Sequence, residues 1–191
     1  MTKQLFLKRF LANPVQVGAL VPSSEALCGE ITRGINIEAA QTVVELGPGT
    51  GVITDEIVTC INPQTKFLAI ELDDKMYENL RNNRPGINVV HDSAANLPEI
   101  MKNAGIKQID AIISGLPWAS FPVKLQLAIL KSVYNSLADG GYFATFAYLQ
   151  GLMLPAGVRF KKLLKKTFRE VKVSKVVWSN VPPAIIYRCR K

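Results

Sequence analysis

The sequence predicts an α/β fold: a three-layer sandwich on a seven-stranded, mostly parallel sheet that closes with a C-terminal antiparallel hairpin. Five apolar runs of strand character alternate with helical periodicity between residues 42 and 168, as parallel strands joined by crossover helices do. The two β-rich runs that follow, residues 171–178 and 184–189, are separated only by Ser179-Asn180-Val181-Pro182-Pro183. That is too little chain for a crossover, so they pair antiparallel. The first strand enters a turn with glycine at alternate positions, Glu45-Leu46-Gly47-Pro48-Gly49-Thr50-Gly51, which lets a ligand approach the backbone with no Cβ in the way.

Residues 1–22 read as an amphipathic helix and a loop. Phe6, Leu7, Phe10 and Leu11 share one helical face, Lys8 and Arg9 flank it, and Asn13-Pro14 ends it. Two readings are open for this helix: docking on the domain's own core, or lying on a membrane with aromatics at the acyl boundary and cations at the headgroups. Residues 23–191 form the main domain. Ser23 or Ser24 caps a helix that runs to about Arg33 and stops at Gly34. Residues 42–46 are the first strand, residues 52–60 a helix and residues 66–71 the second strand, which ends in the carboxylate of Glu71. Asp73-Asp74 opens a helix to about Asn82, with its acids at the positive end of the helix dipole. Residues 88–91 are a third strand ending at Asp92-Ser93, and residues 97–104 a short helix. Residues 109–114 are the fourth strand, leading into Gly115-Leu116-Pro117-Trp118. A helix over residues 122–137 carries Leu125, Ile129, Val133 and Leu137 at helical spacing, Asp139-Gly140-Gly141 turns the chain, and residues 142–147 are the fifth strand. The uncharged stretch 140–158 approaches membrane-span length, but its glycines and Pro155 break it into a buried strand plus a loop. Phe160, Leu163, Leu164 and Phe168 form the apolar stripe of the last helix.

The net charge of +8 sits on the flanks. Residues 23–158 hold nine basic and fourteen acidic side chains, whereas residues 159–175 hold eight basic side chains against Glu170 alone. Basic flanks on a mildly acidic core suit an anionic surface, membrane or nucleic acid. Cys28, Cys60 and Cys189 form no CxxC pair, which points to a reducing compartment and no structural zinc, and a single histidine, His91, argues against a histidine-based metal site or catalytic dyad. No metal and no signal peptide are expected.

In combination, the glycine loop, Glu71, Asp92 and the terminal hairpin resemble the class I S-adenosylmethionine-dependent methyltransferases, a Rossmann-like fold. The resemblance covers nearly the whole chain. It implies that Gly47, Gly49 and Gly51 pass under the methionine part of S-adenosylmethionine, that Glu45 positions the loop or the cofactor's amino group, and that Glu71 accepts the ribose hydroxyls. Asp92 matches the acid that contacts adenine, and Leu72, Ser93 and Ser114 join the cofactor-binding set. His91 is given no role.

Two branches of that class compete. The rRNA adenine dimethylases share a very similar glycine loop. The opening Phe-Leu-Lys-Arg-Phe-Leu, the Gly18-Ala19-Leu20-Val21-Pro22-Ser23-Ser24 segment and Ser114-Gly115-Leu116-Pro117 instead resemble the bacterial phospholipid N-methyltransferases. Adenine N6 enzymes place Asn or Asp where this chain has Gly115, so no side-chain oxygen is available to the adenine amine, and the position is read as room for a bulkier amine. The resemblance then implies stepwise N-methylation of phosphatidylethanolamine toward phosphatidylcholine by a cytoplasmic protein on the inner face of the cell membrane. rRNA adenine N6-methylation is the alternative, and nucleic acid is not the expected partner. Methyl transfer is an in-line displacement, so positioning supplies much of the rate. A headgroup ammonium, with a pKa of about 10.4 like lysine, loses its proton more readily in a water-poor, cationic pocket. Gly115, Leu116, Trp118 and Tyr148 are placed at the acceptor, Trp118 offering its ring to methylated amines and Tyr148 its hydroxyl to the lipid phosphate. Arg188, Phe6, Lys8, Arg9 and Phe10 are placed toward the lipid and its membrane. The lysines of the last helix are either a solvated face or headgroup contacts, and Leu149, Leu152, Met153 and Leu154 before it line an acyl path or insert shallowly.

Overall fold

The computed structural model describes residues 23–191. The expectations for the amphipathic helix, with Phe6, Lys8, Arg9 and Phe10, lie outside the described residues. From residue 23 the chain alternates as its periodicity predicts. α1 (Glu25–Thr32) is capped by the Ser24 hydroxyl, which accepts from the Leu27 N–H, and leads to β1 (Thr42–Leu46). There follow α2 (Val52–Cys60), β2 (Lys66–Glu71), α3 (Asp74–Asn83), β3 (Val89–His91), α4 (Leu97–Asn103), β4 (Ile109–Ser114) and α5 (Val123–Ser136). β5 (Leu137–Tyr148), α6 (Leu149–Leu152), α7 (Pro155–Thr167), β6 (Glu170–Val173) and β7 (Ala184–Arg190) complete the domain.

The seven strands form one sheet in the order β3-β2-β1-β4-β5-β7-β6. β1 to β5 are parallel, and β7 runs antiparallel between β5 and β6. Successive residues of a strand face opposite sides, so each strand serves two cores. One face holds Val43, Ala111, Ile113, Ala144 and Ile186 under Leu27 and Ile31 of α1 and Ile53 and Ile57 of α2. The other holds Val44, Leu68, Ile112, Phe143 and Tyr187 under residues of α4, α5 and α7, among them Ile100, Ile129, Phe160 and Leu164. Helices on both faces of a mostly parallel sheet are the three-layer sandwich that the alternation predicts. β1 connects outward to β2 and β3 while β4 connects the other way to β5. The ends of β1 and β4 are therefore the switch point, where open α/β sheets leave a crevice for ligands.

Three boundaries differ from the sequence reading. β5 begins at Leu137, not Tyr142, because Leu137 already pairs with Ile109; a register shift then absorbs Asp139-Gly140-Gly141 as a bulge within the strand. β6 ends at Val173, short of residue 178. There the Ser174 hydroxyl accepts the Ile186 N–H at 2.9 Å in place of a backbone carbonyl, and Val177 rejoins β7 only as an isolated bridge to Ala184. The expected loop before the last helix holds α6, and α7 starts at Pro155, whose missing N–H is harmless at a first helical position. No described helix is long and apolar enough to cross a membrane.

The connection between β6 and β7 is tied down by one buried side chain. Asn180 accepts from the Ser24 N–H at 2.9 Å and donates to the Pro182 carbonyl at 2.7 Å, and the Leu149 N–H donates to the Pro183 carbonyl at 2.9 Å. Those bonds hold the starts of α1 and α6 against the hairpin loop. Replacing Asn180 with Ala leaves the Ser24 N–H and Pro182 carbonyl without their partner. It should lower stability by about 1–3 kcal/mol, read as a fall in the urea midpoint at unchanged slope.

Candidate active site

The crevice is built from two loops in direct contact. The Gly47 N–H donates to the Ile70 carbonyl and the Gly115 N–H to the Leu46 carbonyl, both at 2.9 Å, so the chain leaving β1 is hydrogen-bonded to β2 on one side and to the loop after β4 on the other. A Cβ on Gly115 would lie 2.5 Å from the Gly47 carbonyl oxygen. Gly47 itself has φ +70°, and a Cβ there would lie 2.7 Å from Leu116 Cδ2. Gly115 is therefore required by the close approach of the two loops, and Gly47 by its left-handed backbone. Gly49 differs: with φ +56° it has no atom within 4 Å of the Cβ direction, leaving one side of the loop open. At Gly51 that direction is filled by the Arg84 guanidinium, which grips Asp55 of α2 with two bonds of 2.6 Å and roofs the start of α2.

Glu45 lies beneath this loop and is fully buried. One carboxylate oxygen accepts from the Thr54 hydroxyl of α2 at 2.6 Å, and the other has no partner. Burial pushes its pKa up to about 8, the Thr54 bond only partly offsetting desolvation. Glu71 closes the neighbouring strand. Its Oε1 accepts from the Leu72 and Asp73 N–H groups at 2.8 and 2.9 Å, and its Oε2 accepts from the Gly49 N–H at 3.0 Å. Burial raises its pKa too, opposed by those three donors. At the end of β3, Asp92 accepts from the Ser93 N–H at 2.6 Å and the Asn96 amide at 2.8 Å, and the Ser93 hydroxyl caps the following turn. Glycine loop, Glu45, Glu71, Asp92 and Ser93 thus gather at the carboxyl ends of β1, β2 and β3, as expected from the sequence.

Residues 23–125 match the family model of the ribosomal RNA adenine dimethylases. The chain is also 34% identical to an ornithine lipid N-methyltransferase of Singulisphaera acidiphila, the similarity covering 97% of this chain and 94% of that one. The chain belongs to the class I S-adenosylmethionine-dependent methyltransferases. Within them it falls in the sequence family that the dimethylase model describes. A ribosomal RNA small subunit methyltransferase A of Dehalococcoides mccartyi is 27% identical over 139 residues, but the aligned part is 62% of this chain and only 46% of that enzyme. Among solved structures, the O-methyltransferase from Bacillus cereus in complex with S-adenosylhomocysteine superposes with a TM-score of 0.71 at 14% identity, over 100% of this chain and 93% of that one. The N-methyltransferase NodS from Bradyrhizobium japonicum gives a TM-score of 0.65 at 12% identity, over 87% and 94%; both share the fold. The cofactor of this methyltransferase is S-adenosylmethionine, and the donor set fits it. The side of the loop left open at Gly49 and the buried, unpartnered oxygen of Glu45 suit a ligand that is positively charged.

On the acceptor side the structure corrects several expectations. Gly115 does not open room for a bulky amine, since the Gly47 carbonyl occupies the place of its side chain. Trp118 does not offer a free ring face. It is 3% exposed, stacked on Phe160 at 4.4 Å and met edge-on by Phe121 and Phe143. Its indole N–H donates to the Ser114 hydroxyl at 3.1 Å, so Ser114 is occupied holding Trp118. The sequence could not distinguish a rim aromatic from a core one, because Phe160 stands 42 residues further on. Leu116 is buried against Gly47. Arg188 is no headgroup donor, for its guanidinium is paired with Glu30 of α1 at 2.6 Å. Tyr148, half-buried at the end of β5 and edge-on to Phe146, does reach the rim; burial raises its pKa. His91 lies 3.1 Å from the Leu72 carbonyl and from Asp74 and stacks on Tyr77, joining β3 to the start of α3.

The sequence reading missed Thr54, Arg84 with Asp55, and Gln126. Gln126 is buried on α5 and donates to the Trp118 carbonyl at 2.7 Å and the Ala156 carbonyl at 3.1 Å, linking the loop after β4 to the start of α7. A polar residue amid the apolar positions of an amphipathic helix was the available signal.

Two outcomes follow for the methyltransferase without cofactor. Gly115→Ala forces the loops apart and should cost about 1–3 kcal/mol of stability, with weaker S-adenosylmethionine binding by calorimetry. Between pH values of about 4.5 and about 8, the unfolded chain has lost the Glu45 proton while the folded protein keeps it. The folded state then binds more protons, and stability falls as pH rises through that window. Glu71 adds the same sign, whereas the pKa of Asp55 is lowered by Arg84, so its stabilisation is lost only in acid below its ordinary range. Glu45→Gln should remove much of the decline in melting temperature from mildly acidic to mildly alkaline pH; an equal decline in both proteins would refute the assignment.

Proposed function

We propose that this methyltransferase N-methylates the headgroup amine of phosphatidylethanolamine, in up to three steps toward phosphatidylcholine, at the inner face of the cell membrane. The observation that carries the reading is Gly115. The adenine N6 reaction calls for a side-chain oxygen at that position, and the Gly47 carbonyl at 2.5 Å leaves no room for any side chain there. An amine carried on a flexible headgroup needs no such planar acceptor. The similarity to a lipid N-methyltransferase over nearly the full length of both chains points the same way.

When bound, S-adenosylmethionine supplies an electrophilic methyl group on a positively charged sulfur. Gly47, Gly49 and Gly51 would pass beneath its methionine part, and Glu45, giving up the proton that burial keeps on it without cofactor, would accept from its ammonium through the free oxygen. Glu71 has four lone-pair positions and uses three for backbone N–H groups. It therefore has one position for a ribose hydroxyl, and accepting the second requires the Gly49 N–H to let go. Asp92 and Ser93 would meet the adenine. The packed wall of Leu116 and Trp118 excludes water beside the amine and lowers its pKa by desolvation. Tyr148 would donate to the lipid phosphate.

A second reading keeps the chemistry and changes the lipid: the S. acidiphila relative is an ornithine lipid N-methyltransferase, and an ornithine headgroup also presents a primary amine. Labelled methyl transfer decides among the substrates. The enzyme, with S-adenosylmethionine, is offered vesicles containing phosphatidylethanolamine, vesicles containing ornithine lipid, and an unmodified rRNA fragment. Label is expected in phosphatidylethanolamine and its methylated products. Label in ornithine lipid alone establishes the second reading, and label in RNA alone overturns both.

A further inference from the structure

Among the described residues, the three most exposed large apolar side chains, Met153, Trp178 and Val181, stand at one corner of the fold. Met153 and Leu154 at the junction of α6 and α7 and Trp178 and Val181 in the loop between β6 and β7 stand at the carboxyl end of the parallel strands, with Met153 86%, Trp178 71% and Val181 66% exposed. The two segments are neighbours, since the Leu149 N–H bonds the Pro183 carbonyl and Ala184 pairs with Tyr148. Val123, exposed at the start of α5, extends the same rim. Cations accompany the patch: Lys175 is exposed in the hairpin loop and Lys124 beside Val123. The acids Glu71, Asp73, Asp74 and Asp92 lie toward the other end of the sheet, after β2 and β3. Asn180, buried behind Trp178, fixes the loop without covering the indole.

The geometry points to this corner as a membrane-docking face, with Trp178 and Val181, aided by Met153 and Leu154, inserted among the headgroups of an anionic phospholipid bilayer. The occupant follows from the chemistry of the patch. An indole beside short apolar side chains suits the interfacial zone, and a fringe of lysines suits anionic headgroups. The choice of a bilayer rests on the lipid reading above. Across the sheet, β7 lies three strand spacings from β1, roughly 14 Å, so docking here brings the glycine loop and Tyr148 toward the headgroup layer without burying them.

The chain has two tryptophans, and Trp118 is sealed in the core, so an emission change on binding reports Trp178. With the full chain and vesicles of phosphatidylethanolamine and phosphatidylglycerol, emission should shift to the blue and be quenched by lipids brominated in the acyl chains. Trp178→Ser, with an unchanged melting temperature, should bind these vesicles roughly tenfold more weakly, and salt should weaken both proteins. Absence of the shift, or equal binding by the variant, overturns the inference. So does concentration-dependent shielding of Trp178 without lipid, which would make a second copy the occupant. Methyl transfer to short-chain, monomeric phosphatidylethanolamine reads the substrate separately, and the variant should match the parent there. Quenching without transfer would leave the docking face standing and the substrate reading refuted; transfer without quenching would do the reverse.

Discussion

The contact on which the site depends is that of the Gly47 carbonyl oxygen with the bare Cα of Gly115. β1 and β4 are hydrogen-bonded neighbours, with Leu46 opposite Ser114, so the loops that leave them must diverge or touch. They touch. The Gly115 N–H is spent on the Leu46 carbonyl, and Leu116 fills the hollow beside Gly47. Once the loops are joined, Glu45 is sealed beneath them and Ser114 is turned toward the Trp118 indole. Trp118 in turn is clamped by Phe160 and, through its carbonyl, by Gln126. The loops after β1 and β4 are one packed unit, and a side chain at Gly115 is felt by both.

That closure has an electrostatic consequence. Burial opposes charging Glu45 and Glu71 alike, and the nearby carboxylate of Glu71 adds to the cost of ionising Glu45. Glu71 is supported by three backbone donors; Glu45 has Thr54 and a bare oxygen. Arg84, which lies against Gly51, is neutralised by Asp55. Among the described residues a pyrophosphate would meet two acids and an arginine already engaged, so this glycine loop is poorly suited to a dinucleotide despite its resemblance to one that binds it. An ammonium or sulfonium would relieve the strain of the two carboxylates. The same glycine spacing is thus given its specificity by what lies under it.

What could be read from the sequence was what is encoded locally. The alternation from Thr42 to Thr167 follows from periodicity and caps, and each carboxylate of the cofactor side ends a strand that could be recognised by itself. The antiparallel hairpin was legible because five residues cannot make a crossover. What was not legible depended on partners distant in the chain. Trp118 became a core residue through Phe160, and Arg188 became an ion-paired strut through Glu30, 158 residues away. Gly115 was recognised as unusual but misread, since only the fold shows that Gly47 occupies its side-chain space. The early end of β6 turned on a single hydroxyl, that of Ser174, competing with a backbone carbonyl for the Ile186 N–H.

The strand order divides the labour along the rim. On one side of the β1/β4 switch point, β2 and β3 lead into acids, Glu71 and Asp92, that accept from neighbouring backbone N–H groups. On the other, β5 ends in Tyr148 and β6 leads into the hairpin loop before β7, with apolar side chains and lysines exposed. A family that shares the first half can therefore serve different acceptors by changing the second. The matched family model, ending at residue 125, stops close to that division, and the similarity to the lipid N-methyltransferase continues past it. The acceptor is then best sought after β4, beyond the reach of the matched family model, and not in the glycine loop.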